Sequence, residues 1–357
     1  MKLTLSLRHA APALGAALLF GASTPLAKLL VGDMTPLLLA GLLYLGSGLG
    51  LTAVLAVRHA LRRRDVAAAA TAVSIPGADL PWLLGAIVTG GMLGPALLMA
   101  GLARGSAASA SLLLNLEGVF TALIAWSVFH ENADRRIVAG MLAIVAGGAL
   151  LSWQPGGAAL APGALLIVAA CLCWAVDNNL TRKVSSNDAM LVAGLKGWIA
   201  GACNTGLALL GGAALPATRP LLLTLLVGFA GYGLSLALFV VALRGLGTAR
   251  TAAYFSVAPL VGVMLALAIW PVAPPLLFWV AAVLMAVGVW LHLRDRHGHE
   301  HRHAPLQHTH AHRHDEHHRH DHDFDWDGSE PHVHPHAHVA LTHRHPHYPD
   351  VHHRHAH

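Results

Sequence analysis

The chain has 357 residues, of which 55% are hydrophobic and only 11% are charged, whereas soluble domains carry about 25% charged residues. The formal net charge is +5, but the basic residues of the apolar part stand at the ends of apolar runs, as membrane topology requires, so nucleic acid is not indicated as a partner. Composition therefore divides the chain into a membrane body, residues 1–293, and a polar tail, residues 297–357, with 23 of the 27 histidines.

Apolar runs of spanning length follow one another along the body, and we predict ten transmembrane helices from them. The runs lie at 11–31, 35–57, 80–102, 107–129, 136–153, 163–182, 189–210, 220–243, 250–270 and 273–293. The first run resembles a signal peptide, but its apolar stretch is about 20 residues long, so we expect it to remain as a spanning helix. Backbone groups in hydrocarbon must pair internally, which favours helices.

Basic residues predict the orientation of these helices in the bilayer. With the N-terminus in the cytoplasm, the cytoplasmic side receives Lys2, Arg8, Arg58, Arg62, Arg63, Arg64, Arg135, Arg136, Arg182, Lys183, Arg244, Arg250, Arg294 and Arg296. The other side receives only Lys28, Arg104 and Arg219. We therefore expect a multi-pass protein of the cell inner membrane, surrounded by the lipid bilayer, with both termini and the tail in the cytoplasm.

The two halves of the body align in a common order. FGASTPLAKLL (20–30) aligns with WAVDNNLTRKV (174–184), AGLLYLGSG (40–48) with AGLKGWIAG (193–201), SLLLNLEGVFTAL (111–123) with AAYFSVAPLVGVM (252–264), and AGMLAIVAGG (139–148) with VAAVLMAVGV (280–289). Five helices in each half would turn the second half upside down in the membrane. Such inverted repeats are typical of transporters, with the substrate site between the halves. We predict repeats at 1–155 and 156–296, followed by the tail.

The ten-span layout and the stretch LLLNLEGVFTALIAWSVFHE (112–131), with its second-half counterpart, resemble the EamA branch of the drug/metabolite transporter superfamily. The resemblance covers roughly residues 10–293. The fourth span of that family often reads N-x-E-P, and here the four positions are Asn115, Leu116, Glu117 and Gly118, while Pro259 holds the matching place in the second half. The resemblance implies an all-α secondary transporter, commonly one that exports metabolites.

Polar residues inside the predicted spans form the candidate substrate pathway. It comprises Glu117, Asn115, Asp177, Asn178 and Lys196. A carboxylate at mid-membrane costs several kcal/mol unless it is paired, protonated or wetted, so Glu117 either binds a cation or proton in a central cavity or hydrogen-bonds two helices together. Three consecutive polar residues, 177–179, cannot share one helical face. Lys196 either extends towards the interface or pairs with Asp177 or Glu117.

Cysteines and glycines in the spans have simpler interpretations. Cys171 and Cys173 project roughly 200° apart on a helix, so they are predicted to fill apolar space and not to bind one ion together. The four-residue spacing of Gly46 with Gly50, and of Gly90 with Gly94, predicts close helix packing.

The tail carries nine acids and five arginines among its histidines. Because it lacks apolar mass, we predict that it is disordered. Neutral imidazole binds Zn, Ni, Cu and Co, and flexible H-x-H pairs can chelate such ions. The candidate metal ligands are His299, His301, His303, His310, His312, His314, His317, His318, His320, His322, His332, His334, His336 and His338. A tail that senses pH or adds solubility is the alternative.

The sequence is compatible with two functions. One is an exporter of divalent transition metal, Ni or Co foremost and then Zn, collected by the tail. The other is a metabolite or amino-acid exporter whose tail senses metal or pH. An inverted repeat with a midplane carboxylate disfavours a metal store without transport. Because the sequence shows no nucleophile–base constellation or phosphate loop, we expect neither an enzyme nor a required cofactor; a homodimer is left open.

Overall fold

The computed structural model describes residues 2–62, 76–129, 135–153, 161–184, 189–246 and 254–293 of the body. In the tail it describes residues 297–303, 306–312, 332–338 and 341–347. The chain divides into two compact units, Met1–Asp295 and Arg296–His357.

The first unit is built from α-helices over its described residues. In the first half they are α1 (Lys2–Leu30), α2 (Pro36–Arg62), α3 (Leu80–Ala86), α4 (Gly94–Arg104), α5 (Ala107–Leu113), α6 (Asn115–Phe129) and α7 (Arg135–Ser152). In the second half they are α8 (Pro162–Lys183), α9 (Ala189–Leu210), α10 (Thr218–Gly228), α11 (Ser235–Leu246), α12 (Ala258–Ile269) and α13 (Leu276–Leu293). All lie within or overlap the apolar runs, because such runs must pair their backbone groups internally.

Six stretches of the described residues are long and apolar enough to cross a bilayer. They are Ala11–Leu30, Pro36–Arg58, Gly77–Arg104, Ala107–Val128, Pro162–Thr181 and Thr218–Phe239. Shorter apolar helices cover Val138–Ser152, Ala258–Ile269 and Leu276–Leu291. Helix α9, which carries Lys196 and Asn204, is not among the six. The multi-pass membrane character follows from these stretches, whereas the number of ten spans stays a prediction.

Helical irregularities fall at corresponding places in the two halves. A π-helical segment, Ile87–Leu93, joins α3 to α4, and another, Phe229–Leu234, joins α10 to α11. The helix is also interrupted at Leu114, between α5 and α6, and a turn at 256–257 precedes α12. The offset of 141 positions that relates 111–123 to 252–264 carries each irregularity onto its counterpart within one or two residues.

Glycines allow helix α2 to pack closely on the helix of the second half that contains α10. A Cβ at Gly46 would overlap the backbone of Leu225, and a Cβ at Gly50 would overlap the ring of Phe229. The packing role predicted from the four-residue spacing is therefore confirmed for this pair. Helix α2 also packs along α9, and α7 along α13.

The outer surface of the first unit is rich in exposed apolar side chains. They include Leu222, Leu226, Met264, Leu276 and Val283. Exposed apolar side chains in such number are a liability in water, and they are what a surface in contact with lipid requires.

The second unit contains strands. They are β1 (His297–His303), β2 (Leu306–His312), β3 (His332–His338) and β4 (Leu341–His347). Strand β1 pairs antiparallel with β4, and β2 pairs antiparallel with β3. Histidine at every second position of these segments is a strand pattern, whereas disorder of the tail as a whole stays a prediction.

Candidate functional site

A buried ion pair joins α8 to α9. The Lys196 ammonium lies 2.6 Å from Oδ1 and 2.7 Å from Oδ2 of Asp177, and the two side chains are only 13% and 9% exposed. The Thr181 hydroxyl, one turn further along α8, donates to Oδ1 of Asp177 at 2.8 Å. A charge removed from water needs such a partner. Of the alternatives for Lys196, the structure shows the pairing with Asp177 and not an extension towards the interface.

A second polar contact joins α6 to α8. The Asn178 amide donates to Oε1 of Glu117 at 2.9 Å and approaches the Thr121 hydroxyl at 3.3 Å. Glu117 lies in the first turn of α6, just after the interruption at Leu114. Glu117 therefore joins α6 to α8 through a neutral partner.

The three consecutive polar residues of α8 point to different neighbours, as predicted. Asp177 and Asn179 are buried, whereas Asn178 is exposed. The Asn179 amide donates to the Ala175 carbonyl at 2.9 Å within its own helix. Asp177 thus belongs to the ion pair with α9, and Asn178 belongs to the contact with α6.

Asn115 has a local role at the helix interruption. Its amide donates to the Leu112 carbonyl at 2.9 Å, bridging the end of α5 and the start of α6. The structure shows no hydrogen bond, among the described residues, that links Asn115 to Glu117 or to the ion pair. It therefore lies beside the candidate pathway and stabilises the break from which Glu117 projects.

Sequence reasoning missed a hydrogen-bonded cluster around Gly90. In the π-helical segment the Gly94 N–H reaches back to the Thr89 carbonyl, so the next N–H along would reach Gly90. That next residue is Pro95, which has no N–H. The Gly90 carbonyl is therefore left free by its own helix. Pro95 is the one sequence feature that indicates the free carbonyl. The π-helical geometry itself cannot be predicted from an apolar run.

Two aromatic side chains donate hydrogen bonds to the Gly90 carbonyl in place of its own helix. The Tyr44 hydroxyl donates to the Gly90 carbonyl at 2.8 Å, and the Trp174 indole N–H donates to it at 2.9 Å. Trp174 lies one turn before Asp177 on α8, and a Cβ at position 90 would overlap the Asp177 carboxylate. The cluster fixes α8 against the π-helical segment and so positions the ion pair.

The second half has an uncharged counterpart of the Glu117 contact. The alignment offsets carry Asn178 onto Thr24 and Glu117 onto Ala258. A small cavity lies there, lined by Phe20, Gly21, Thr24, Ser111, Leu114, Ala258 and Pro259. The Ser111 hydroxyl is buried and has no hydrogen-bond partner among the described residues. A carboxylate is therefore present at this position in the first half, and an alanine is present at the equivalent position in the second half.

No group of three or more His, Cys, Asp or Glu side chains is placed to hold a metal among the described side chains. Cys171 is buried, and its thiol lies 3.5 Å from the Leu113 carbonyl. Nine of the predicted histidine ligands lie on the tail strands; they are His299, His301, His303, His310, His312, His332, His334, His336 and His338. The others, His314, His317, His318, His320 and His322, lie outside the described residues.

Comparison with known proteins decides the family. Residues 10–153 and 161–294 each match the EamA-like transporter family. The chain belongs to this family. The resemblance seen in the fourth span is confirmed, and this EamA-like protein is a multi-pass membrane transporter.

Two individual similarities agree with this assignment. An uncharacterized transporter of Methanothermobacter thermautotrophicus is 24% identical over 289 residues, which cover 77% of this chain and 83% of the relative. A protein of known crystal structure superposes with a TM-score of 0.59 at 19% identity, covering 79% of this chain and 95% of that one. The second similarity speaks for the fold alone.

Proposed function

We propose that this EamA-like transporter exports a small cation, with divalent transition metal, Ni or Co foremost and then Zn, as its cargo. The observation that carries the proposal is an imbalance of charge at the candidate site. Asp177 is neutralised by Lys196, whereas Glu117 has the neutral amide of Asn178 as its partner. A carboxylate without a cation at this depth is stable when a proton or a metal ion joins it.

The architecture that we propose around this site is ten helices in two inverted repeats. Contacts between equivalent residues support it. Gly90 of the first half lies against Asp177, and Gly231, its counterpart at an offset of 141, lies against Ser23. Ser23 is in turn the counterpart of Asp177 at the offset of 154 that aligns 20–30 with 174–184. Each half thus places its first span against the third span of the other, as a two-fold axis in the membrane plane requires.

In the proposed mechanism Glu117 alternates between a cargo-bound and a proton-bound form. The cargo cation binds the carboxylate from the cytoplasmic side, and a proton takes its place on the carboxylate after release. The Asp177–Lys196 pair stays intact and keeps α8 and α9 together. The inner membrane is the proposed location, with both termini in the cytoplasm, so that the histidine tail collects ions before they enter the pathway.

A specific observation favours a second candidate, the export of an amino acid or another zwitterionic metabolite. The Asp177–Lys196 pair offers one carboxylate and one ammonium 2.6 Å apart. A zwitterion carries the complementary charges and could replace each partner with its own group. The tail would then sense metal or pH and not feed the pathway.

Efflux from preloaded cells separates these candidates. Cells producing the parent, Glu117→Gln or Asp33→Asn are loaded with Ni²⁺, Co²⁺ or Zn²⁺, and the metal that remains is measured over time. Asp33 is an exposed carboxylate in the α1–α2 connection, so its amide variant controls for the chemical change. Metal export should be lost with Glu117→Gln and kept with Asp33→Asn. If the parent leaves cellular metal unchanged, the metal proposal fails, and the same cells loaded with labelled amino acids test the second candidate.

A further inference from the structure

The register of the tail strands places histidine opposite histidine. In the β1–β4 sheet the opposed pairs are His297 with His347, His299 with His345, and His301 with His343. In the β2–β3 sheet they are His308 with His336, His310 with His334, and His312 with His332. Each sheet therefore has three cross-strand histidine pairs, called rungs here, at every second position.

These rungs share one face of each sheet. Alternate residues of a strand lie on the same face, and the positions between the histidines hold other residue types. In the β1–β4 sheet those positions are Gly298, Glu300, Arg302, Thr342, Arg344 and Pro346. In the β2–β3 sheet they are Gln307, Thr309, Ala311, Val333, Pro335 and Ala337. The two faces of each sheet are thus chemically different, and one of them carries only histidine at its three rungs.

The spacing of two neighbouring rungs suits one metal ion. Directly opposed residues have Cβ atoms about 4.5–5.5 Å apart, and residues two apart on a strand are separated by about 6.6 Å. Four histidines at the corners of such a patch can supply four imidazole nitrogens. Four nitrogen ligands match the tetrahedral preference of Zn²⁺ and the tetragonal preference of Ni²⁺.

We infer that each sheet binds one divalent transition-metal ion through the four histidines of two adjacent rungs, an inference that rests on the proposed role of the tail as a metal collector. An isolated two-stranded sheet is marginal in water, and metal binding can supply the missing stability. Ion capture and strand pairing are therefore one event. The tail offers two defined four-histidine sites in addition to its weaker histidines.

The middle rung of each sheet is the critical one. A site of two adjacent rungs contains the middle rung whichever outer rung completes it. Removing the middle rung therefore leaves two outer rungs that are not neighbours. The middle rungs are His299 with His345 and His310 with His334. Exchanging the outermost rung, His297 with His347, still leaves one adjacent pair in its sheet. Position therefore matters more than the number of histidines.

Zn²⁺ binding to the purified full chain in nanodiscs tests this inference, in the presence of a competing chelator that suppresses weak sites. The parent should bind two ions. The double variants His299→Gln with His345→Gln, and His310→Gln with His334→Gln, should each bind one. His317→Gln with His318→Gln removes the same number of histidines outside the rungs and should bind two. Equal loss in all three double variants would show that only the number of histidines counts, and would overturn the inference.

The register has a second test that measures strand pairing and not metal stoichiometry. With Cys171, Cys173 and Cys203 replaced by alanine, disulfide formation by the added oxidant diamide is compared for the pair His297→Cys with His347→Cys and the off-rung pair His297→Cys with Pro346→Cys. Without added metal, the first pair should cross-link faster, because the register places positions 297 and 347 directly opposite each other. Equal cross-linking of both pairs would contradict the register.

The proposed function fails on a different result. If two ions bind as expected while the parent leaves cellular metal unchanged, the four-histidine sites are supported and the proposal that metal is transported is wrong. If the parent exports metal but all double variants bind the same number of ions, the four-histidine sites are wrong and the proposal that metal is transported is supported.

Discussion

Gly90 lies against the carboxylate of Asp177, so closely that a Cβ at position 90 would overlap it. The same glycine accepts hydrogen bonds from Tyr44 and Trp174 through a carbonyl that its own helix leaves free. One small residue therefore sets the distance between the π-helical segment and the ion pair of α8 and α9. A π-helical turn often marks a functional position, and here it brings the first half into contact with a charged residue of the second half.

The first prediction concerns Gly90→Ala. The added methyl must push Asp177 away from Lys196 or part α8 from the π-helical segment, and such overpacking costs about 1–3 kcal/mol. We expect a lower midpoint of thermal unfolding in detergent and a loss of transport. Gly206→Ala is the matched control, because a Cβ at this helical glycine meets nothing within 4 Å. Parent-like stability and transport in Gly90→Ala would show that the contact is not required.

The second prediction concerns the ion pair. Lys196→Met leaves the Asp177 carboxylate buried without its partner, which costs about 3–5 kcal/mol. The double variant Lys196→Met with Asp177→Asn removes both charges and should recover much of the lost stability. Thermal unfolding of the three proteins, with the single variant Asp177→Asn completing the cycle, measures the coupling. Additive effects of the two single changes would mean that the pair contributes nothing to stability.

Recovery of stability need not restore transport. If the double variant is as stable as the parent and still exports its cargo, the pair is structural and the zwitterion candidate loses its supporting observation. If it is stable and inactive, the charges act in transport. Stability and transport together therefore show whether the ion pair only holds α8 against α9 or also takes part in transport.

Much of the fold could be predicted from the sequence, because membrane-spanning helices appear in it as long apolar runs. The helices α1, α2, α8 and α9 follow the runs from which they were predicted. The sequence also placed Asp177 and Lys196 among the candidates and named their pairing as one alternative. Choosing among the alternatives needed the packing of α8 on α9, which no periodicity within one helix reveals.

The parts that could not be predicted depend on contacts between distant segments. The segment 87–93 contacts α8, and its π-helical geometry leaves no mark in an apolar run except Pro95. The tail strands depend on the register between 297–303 and 341–347. Composition predicts a disordered tail, and composition does not contain the order in which histidines alternate with other residues.

The third prediction concerns topology. A reporter fused after residue 293 should be active in the cytoplasm, and one inserted at 154–161 should be active on the opposite side. The reason is the excess of arginine and lysine at the predicted cytoplasmic ends. The reverse pattern would place the histidine tail outside the cytoplasm. Capture of ions for uptake would then replace collection for export.

The fourth prediction distinguishes the tail as a collector from the body as a conduit. Deleting 297–357 removes 23 histidines and leaves Glu117, Asp177 and Lys196 in place. Export should therefore weaken at low cytoplasmic metal, where local concentration by the tail matters, and approach the parent rate at high metal. Glu117→Gln should fail at every load, because the tail still gathers ions while the pathway has lost its carboxylate.

Initial efflux rates over a range of intracellular Ni²⁺, with membrane abundance matched by immunoblot, measure both effects. A deletion that lowers the maximal rate but not the apparent affinity would mean that the tail acts on translocation itself. A deletion that raises export at low metal would make the tail an inhibitor that metal relieves. Either result would remove the collector role while leaving the transporter assignment, which rests on the membrane body, unchanged.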